Sequence, residues 1–271
     1  MSDEALSKRI FEECDRLTED DTFSFSCHPG VPCFNNCCGD VNIVLTPYDI
    51  LRLKNRLGIT SEEFHDRFAL MPFTKEQRLP AVVIKMLEDE GKPCPFLGDE
   101  GCTVYEDRPW ACRMYPMGLA APGQGEAEKD QEGFYFLLQE DKCKGHGEKR
   151  ELTVGQWLDE QGIRPYDEMG EEFKELTLHP FFEKGGNLTP QQMHMFFLAC
   201  FDLDAFRRFV CESTFLRRFE VDDETVEKLK TDDVELMRFG FKFVRFSLLG
   251  DGHLMTIRPD ALPDDQQEQA K

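Results

Sequence analysis

The sequence has no long apolar run and no excess of basic residues, and each absence excludes a class of protein. Its apolar runs are far shorter than the roughly 20 residues that a membrane-spanning helix needs, so we expect no membrane segment. Lys and Arg number 32 against 53 Asp and Glu, which gives a formal net charge of −21. A surface of this charge repels phosphate groups, so nucleic acid and anionic membranes are poor partners, whereas a basic protein would suit it.

We expect no signal peptide, and the common sequence motifs of enzyme active sites are missing. Residues 1–21 are charged and predict an amphipathic helix, whereas a signal peptide needs an apolar stretch after basic residues. We therefore expect a cytoplasmic protein, in a compartment that keeps thiols reduced. The eleven cysteines are an odd number, so disulfides alone would leave one over. No G-x-S-x-G turn, P-loop or HExxH motif is present.

Most of the cysteines are concentrated in one part of the chain. Eight lie between residues 27 and 143, namely Cys27, Cys33, Cys37, Cys38, Cys94, Cys102, Cys112 and Cys143. Clustered reduced thiols favour metal binding, because Zn²⁺ and iron–sulfur clusters are each held by four thiolates from close and remote cysteines. Eight thiolates would fill two four-ligand sites or one multinuclear site with bridging sulfurs. The other three, Cys14, Cys200 and Cys211, have apolar neighbours and are predicted to be core residues.

The densest stretch is CHPGVPCFNNCC at residues 27–38. Cys33 and Cys37 have three residues between them, on a loop with proline and asparagine that could wrap around one metal. Cys37 and Cys38 are adjacent, and neighbouring side chains in extended backbone point to opposite sides. The pair therefore indicates either two centres close together, or one ligand and one core thiol.

The second half of the cysteine pattern is PCPFLGDEGCTVYEDRPWACRMYP, residues 93–116. Cys94 and Cys102 flank a predicted hairpin turn and can face each other across its mouth. A short turn beginning at Pro109 would then present Cys112.

Charged, aromatic and histidine side chains accompany these cysteines. Arg108 and Arg113 bracket Cys112, and guanidinium groups would neutralise thiolate charge in a half-buried site. His28 and His146 lie beside cysteines, and we interpret them as neighbours of the site in preference to ligands. Nearby aromatic residues would shield a metal from water: Phe25, Phe34, Phe96, Trp110 and Tyr115.

These two cysteine stretches, with the segment TPYDILRLKNRLGI between them, resemble the CxxCxxCC family of zinc- or iron-chelating proteins, also called YkgJ-like cysteine cluster proteins. The resemblance covers residues 22 to about 170 and falls on the same eight cysteines. One departure is the first gap, which has five residues between Cys27 and Cys33 instead of two. The resemblance implies metal or iron–sulfur binding. Some relatives are flagellin lysine N-methylases, which use S-adenosylmethionine. The resemblance therefore also implies an alternative function, an enzyme that methylates protein lysines.

We predict a soluble metal-binding protein of the α+β class, with short strands and loops around the metal and a helical C-terminal part. The predicted divisions are an N-terminal helix (1–21), a cysteine-cluster domain (22–170), a helical region (171–262) and a solvated tail (263–271). Between iron–sulfur and zinc we favour iron–sulfur, because adjacent cysteines suit a multinuclear site. Strands are predicted at 41–45, 81–87 and 134–139, a hairpin turn at 98–101, and helices at 46–58, 59–68, 189–210, 222–230 and 234–249.

Overall fold

The computed structural model describes residues 14–72, 78–120 and 133–261. It confirms the α+β class, with several small sheets and a helical C-terminal part. The chain divides into two compact units, Met1–Val44 with Ile84–Glu168, and Leu45–Val83 with Met169–Lys271. The predicted solvated tail, and most of the predicted N-terminal helix, lie outside the described residues. The functional division into domains stays a prediction.

All strands are short. They are β1 (Thr22–Ser24), β2 (Val44–Leu45), β3 (Ala69–Leu70), β4 (Val82–Ile84), β5 (Leu97–Gly98), β6 (Gly101–Cys102), β7 (Met117–Ala120), β8 (Phe134–Leu137) and β9 (Glu151–Thr153). The α-helices are α1 (Pro47–Leu57), α2 (Ser61–Phe68), α3 (Trp110–Met114), α4 (Val154–Glu160), α5 (Arg164–Thr177), α6 (Pro180–Glu183), α7 (Pro190–Phe201), α8 (Leu203–Glu212), α9 (Phe215–Arg218), α10 (Asp223–Thr231) and α11 (Asp233–Val244). No helix in the described part of the chain is long and apolar enough to cross a membrane.

The first unit is built around one aromatic core and three antiparallel strand pairs. Strand β1 pairs with β9, β5 with β6 and β7 with β8. Phe25, just past β1, meets Trp157 of α4 edge to face, with 5.5 Å between ring centroids. The Trp157 indole N–H donates to the Met114 carbonyl over 3.3 Å. Such contacts fix the segments that carry the cysteines, since the strands alone are too short to do so.

The hairpin predicted at Gly98–Gly101 is confirmed, and several other predicted elements differ in extent. The single helix predicted at 189–210 is two helices, α7 and α8, separated at Asp202, and the strand predicted at 134–139 ends at Leu137. The strands expected at 41–45 and 81–87 shrink to β2 and β4, in a sheet of order β2-β4-β3. Strand β2 ends at Leu45 because Thr46 already caps helix α1. The predicted helix at 234–249 is α-helical to Val244, and Arg245–Leu249 forms a π-helical turn ending at Gly250.

Helices of the second unit begin where capping residues predict them. Thr46, Thr60 and Thr189 each form a capping box with the residue three positions on, so the free N–H groups of the first turn are bonded. Gly58 ends α1 with φ of 66°, a left-handed conformation that glycine adopts without a steric penalty.

Buried charges and aromatic rings stabilise this second unit. Lys54 of α1 is buried and lies 3.3 Å from the Asp204 carboxylate and 3.0 Å from that of Asp233. The Ser61 hydroxyl donates to Asp202 over 2.7 Å. Phe206 of α8 is fully buried among neighbouring phenylalanines.

Candidate metal centre

Consecutive turns fold residues 27–40 into a tight loop. The Val31 amide donates to the His28 carbonyl over 2.9 Å, and the Asn36 amide donates to that of Cys33 over 3.0 Å. Asn35 has a φ of 69°, in the left-handed region that asparagine tolerates better than most residues. It precedes a single turn of 3₁₀ helix, Asn36–Cys38.

Cys37 and Cys38 are consecutive residues of this turn. A 3₁₀ helix has about three residues per turn, so neighbouring side chains are separated by roughly 120° around its axis. Side chains that point to opposite sides require extended backbone at Cys37 and Cys38. The backbone there is helical, and the two side chains are close enough for a hydrogen bond from Cys38 to Cys37, so the predicted opposite directions are not found.

Four of the cysteines line one pocket, and we call them the first thiol group: Cys27, Cys33, Cys37 and Cys143. Phe25, Val31, Tyr115, Glu140 and Lys142 complete most of the lining. Burial, together with the negative charges of Cys37, Cys33 and Cys143 when they are ionised, raises the pKa of Cys27 to about 11. The pocket thus brings Cys143, which is remote in sequence, together with three cysteines of the loop.

The other four cysteines form a second thiol group: Cys38, Cys94, Cys102 and Cys112. Cys38 interacts electrostatically with Cys112 and Cys94, and Cys94 with Cys102. The Cys94 amide donates to the Cys38 carbonyl over 2.7 Å, which joins the loop to the segment before the hairpin. Residue 97 lies opposite Cys102 in that hairpin.

A glycine permits this junction between chain segments. Gly39 forms an isolated bridge with Pro93, and a β-carbon at position 39 would lie 2.6 Å from the Gly91 carbonyl oxygen. No side chain fits at that distance, so the close approach of the two segments requires glycine.

The Cys37 and Cys38 side chains meet at the border between the two groups. A hydrogen bond from Cys38 lowers the pKa of Cys37 to about 6, and the same bond, with burial, raises the pKa of Cys38. Cys37 is therefore the acceptor of the pair and ionises first.

Backbone amides point at three of the sulfurs. The Lys144 amide donates to the Cys33 sulfur over 3.0 Å. Burial raises the pKa of Cys94 and of Cys102, and a backbone hydrogen bond partly offsets it in each, from Phe96 and from Val104. Hydrogen bonds from N–H groups stabilise thiolate over thiol, and thiolate is the form that binds metals.

Two buried guanidinium groups lie beside the second thiol group, where the sequence places them. The charges of Cys102 and Cys112 act on Arg108, whose pKa is lowered mainly by burial. Arg113 donates to the carbonyls of Arg108 (2.9 Å), Gln161 (2.6 Å) and Glu106. Both arginines are under a tenth exposed. Their positive charge favours ionised sulfur nearby.

The two candidate histidines do not line the pocket of the first thiol group. His28 is about half exposed; its Nδ1 accepts from the Gly30 amide over 3.1 Å and its Nε2 is 3.5 Å from Glu148. The His146 Nε2 lies 3.1 Å from the Leu138 carbonyl, and its ring meets that of Phe25. Both ring positions agree with a supporting role.

The remaining cysteines lie outside the two groups. Cys200 is fully buried, as predicted for a core thiol, and its burial raises its pKa well above the ordinary value. Cys14 and Cys211 are only half-buried, so the core prediction was too strong for both. None of the cysteines in the described residues forms a disulfide.

The donors suit a metal that binds sulfur, although they do not form a finished coordination sphere. Within the described residues, no three His, Cys, Asp or Glu side chains have the arrangement of a metal site. The chemistry nevertheless fits Zn²⁺ or iron: four thiols face one pocket, amides point at sulfurs, and cationic side chains flank the second group.

Sequence reasoning missed one feature of the site, the Tyr115 hydroxyl. It treated Tyr115 as an aromatic shield, but this hydroxyl is buried and has no hydrogen bond of standard geometry within the described residues. Burial and the adjacent Cys143 raise the pKa of Tyr115 well above its ordinary value. The sequence gives no signal that residue 143 lies beside residue 115, because the two residues come together only when the chain folds.

Comparison with known proteins agrees with this chemistry. No curated protein and no solved structure matches the chain. A family model does match residues 26–144, a range that contains all eight cysteines of the two thiol groups. The family description names metal chelation and does not name a transferase activity. Residues 26–144 are therefore similar to the family described as CxxCxxCC, putative zinc- or iron-chelating domain.

Proposed function

We propose that the protein is a soluble, cytoplasmic metal-binding protein that holds two four-thiolate centres. Cys27, Cys33, Cys37 and Cys143 would bind the first centre. Cys38, Cys94, Cys102 and Cys112 would bind the second. The observation that carries the proposal is the convergence of four cysteines, from residues 27 to 143, on a single pocket.

Four thiolates per group are the ligand set of a closed zinc site and also of an iron–sulfur cluster. We favour iron–sulfur, because Cys37 and Cys38, which would bind different centres, are adjacent residues, so that the two centres would lie close together. When bound, such a cluster supplies one-electron chemistry, whereas zinc would only hold the loops in place. The surrounding groups act in the same way for either metal: amides and arginines favour ionised sulfur, and Phe25 and Val31 limit contact with water.

Elemental analysis of protein purified without oxygen tests this proposal. Two iron–sulfur centres give iron and acid-labile sulfide in equal amounts, with broad visible absorbance. Two zinc sites give about two zinc per chain and no colour. A protein with neither metal, whose eight clustered thiols all react with a thiol reagent in the native state, overturns the proposal.

Single substitutions test the division into two groups. Cys27→Ser should remove metal from the first centre and Cys94→Ser from the second, so each variant should keep about half of the metal if the sites load independently. Cys211→Ser, outside both groups, is the matched control and should keep all of it. Equal, total loss in both cysteine variants would indicate one multinuclear site in place of two.

A further inference from the structure

The Tyr115 hydroxyl lies buried at the wall of the first thiol pocket. The ring is held edge-to-face against Phe25, with 6.1 Å between ring centroids. Tyr115 and Cys143 also pack against the same aromatic core of the first unit. The hydroxyl therefore has little freedom to move towards water.

A buried hydroxyl without a hydrogen bond is unfavourable, because it has lost its hydrogen bonds to water and gained none. Within the described residues the Tyr115 hydroxyl makes no bond of standard geometry, and Cys143 lines the same pocket and packs on the same core. A neutral thiol is a weak acceptor, whereas a thiolate is a strong one. A metal-bound sulfur at position 143 would therefore supply the acceptor that the buried hydroxyl needs.

We propose that Tyr115 donates a hydrogen bond to the metal-bound thiolate of Cys143 and so sets the reactivity of that sulfur. This inference rests on the proposed metal-binding function. Cys33 already receives an N–H donor from Lys144 in the same pocket. Tyr115 would likewise donate a hydrogen bond to the Cys143 sulfur, but from its side-chain hydroxyl instead of a backbone amide.

The consequence is a less nucleophilic sulfur at position 143. A donor that bonds a metal-bound thiolate withdraws electron density from it, which slows its attack on electrophiles and tunes the metal. Tyr115 is a positioning residue in this scheme, because it acts on the metal through the sulfur.

The test compares alkylation of individual cysteines in metal-loaded, full-length protein. Native protein, Tyr115→Phe and Tyr135→Phe would be treated with iodoacetamide, and the labelling rate of each cysteine followed by peptide mass mapping. Metal content is measured on the same samples. Tyr135 lies on strand β8, outside the pocket lining, and its variant controls for loss of a phenol elsewhere in the first unit.

We expect Tyr115→Phe to raise the labelling rate of Cys143 about tenfold, the effect of one lost charge-assisted hydrogen bond. Cys27 lines the same pocket and is the internal reference. If both rates rise together, the change is one of access and the inference is wrong. If native protein carries metal and Cys143 labelling does not change, the inference also fails while the metal-binding function stands. If native protein carries no metal, both fail.

A second variant covers the case in which Tyr115→Phe does not fold. Replacing Tyr115 with 3-fluorotyrosine keeps the hydroxyl and makes it a stronger donor. Labelling of Cys143 should then become slower than in native protein, with Cys27 unchanged. An unchanged or faster rate at Cys143 contradicts the inference.

Discussion

The amide of Cys94 donates to the carbonyl of Cys38 over 2.7 Å, and this bond joins two members of the second thiol group through the backbone. It lies next to the bridge between Gly39 and Pro93. Main-chain contacts therefore hold the backbone of Cys38 beside that of Cys94.

Gly39→Ala should disturb the second thiol group. A β-carbon there would lie 2.6 Å from the Gly91 carbonyl oxygen, so the loop must move away from Pro93. We expect a loss of about 1–3 kcal/mol in the free energy of unfolding and loss of metal from the second centre. Gly147→Ala is the control, because a β-carbon at Gly147 meets nothing within 4 Å. Chemical denaturation and metal analysis measure both effects; full metal retention in Gly39→Ala would contradict the expectation.

Arg113→Met should weaken the second centre and the fold together. The substitution leaves the carbonyls of Glu106, Arg108 and Gln161 without their donor and removes a buried charge near Cys112. We expect a loss of about 3 kcal/mol, with metal lost first from the second centre. The exposed pair of Arg150 and Glu160 provides the control, since Arg150→Met should change stability by less than about 1 kcal/mol.

The charge cluster of the second unit, Lys54 with Asp204 and Asp233, should make the free energy of unfolding fall at low pH. Burial opposes ionisation of Asp204, but the Ser61 amide and Lys54 outweigh it, so the pKa of Asp204 is lowered. A lowered pKa stabilises the fold above the ordinary aspartate pKa of 3.8, and this contribution is lost as pH falls through the folded-state value. Urea denaturation at pH 7 and at successively lower pH values below 4 would follow that loss.

Lys54→Met tests the same cluster at neutral pH. Removing the ammonium leaves Asp204 and Asp233 without their shared partner, so we expect a loss of about 3–5 kcal/mol, the usual effect of breaking a buried ion pair. Lys228→Met, in an exposed pair with Glu224, is the control and should have little effect. Equal stability of the two variants in urea would show that Lys54 is not needed.

Metal removal should loosen the first unit and leave the second folded. The two cysteine segments contain only short helices and two-residue strands, so we expect their order to depend on the metal. Hydrogen exchange before and after chelation should show faster exchange in residues 27–40 and 92–116. Helix α11, with Phe239, Phe241 and Phe243 buried, should keep its protection. Unchanged exchange in both cysteine segments would argue against a structural metal.

Much of this fold follows from local sequence signals. Threonine caps predict the starts of three helices because a capping box is complete within four residues. Strands β1 and β9 could not be predicted in the same way. Three residues are too few to show an alternating pattern, and Phe23 finds Leu152 only once the whole unit has formed.

The candidate site could also be predicted only in part. Clustering identifies the eight cysteines, since their spacing is a property of the sequence. Their division into two groups depends on the turn at Asn36–Cys38 and on the close approach of Gly39 to Gly91. That approach involves two segments that are far apart in sequence, so local signals do not predict it. The neighbourhood of Tyr115 and Cys143 is likewise a product of the folded chain.

Arg113 has a wider consequence for how such a protein keeps its shape. Its guanidinium holds the carbonyl of Gln161, the residue that ends helix α4, together with two carbonyls from the segment just before α3. A cation at a helix C-terminus is favoured by the helix dipole. In a unit whose strands are two to four residues long, this one side chain ties the end of a helix to the segment that leads into α3, and so adds to the rigidity that the aromatic core provides beside the thiols.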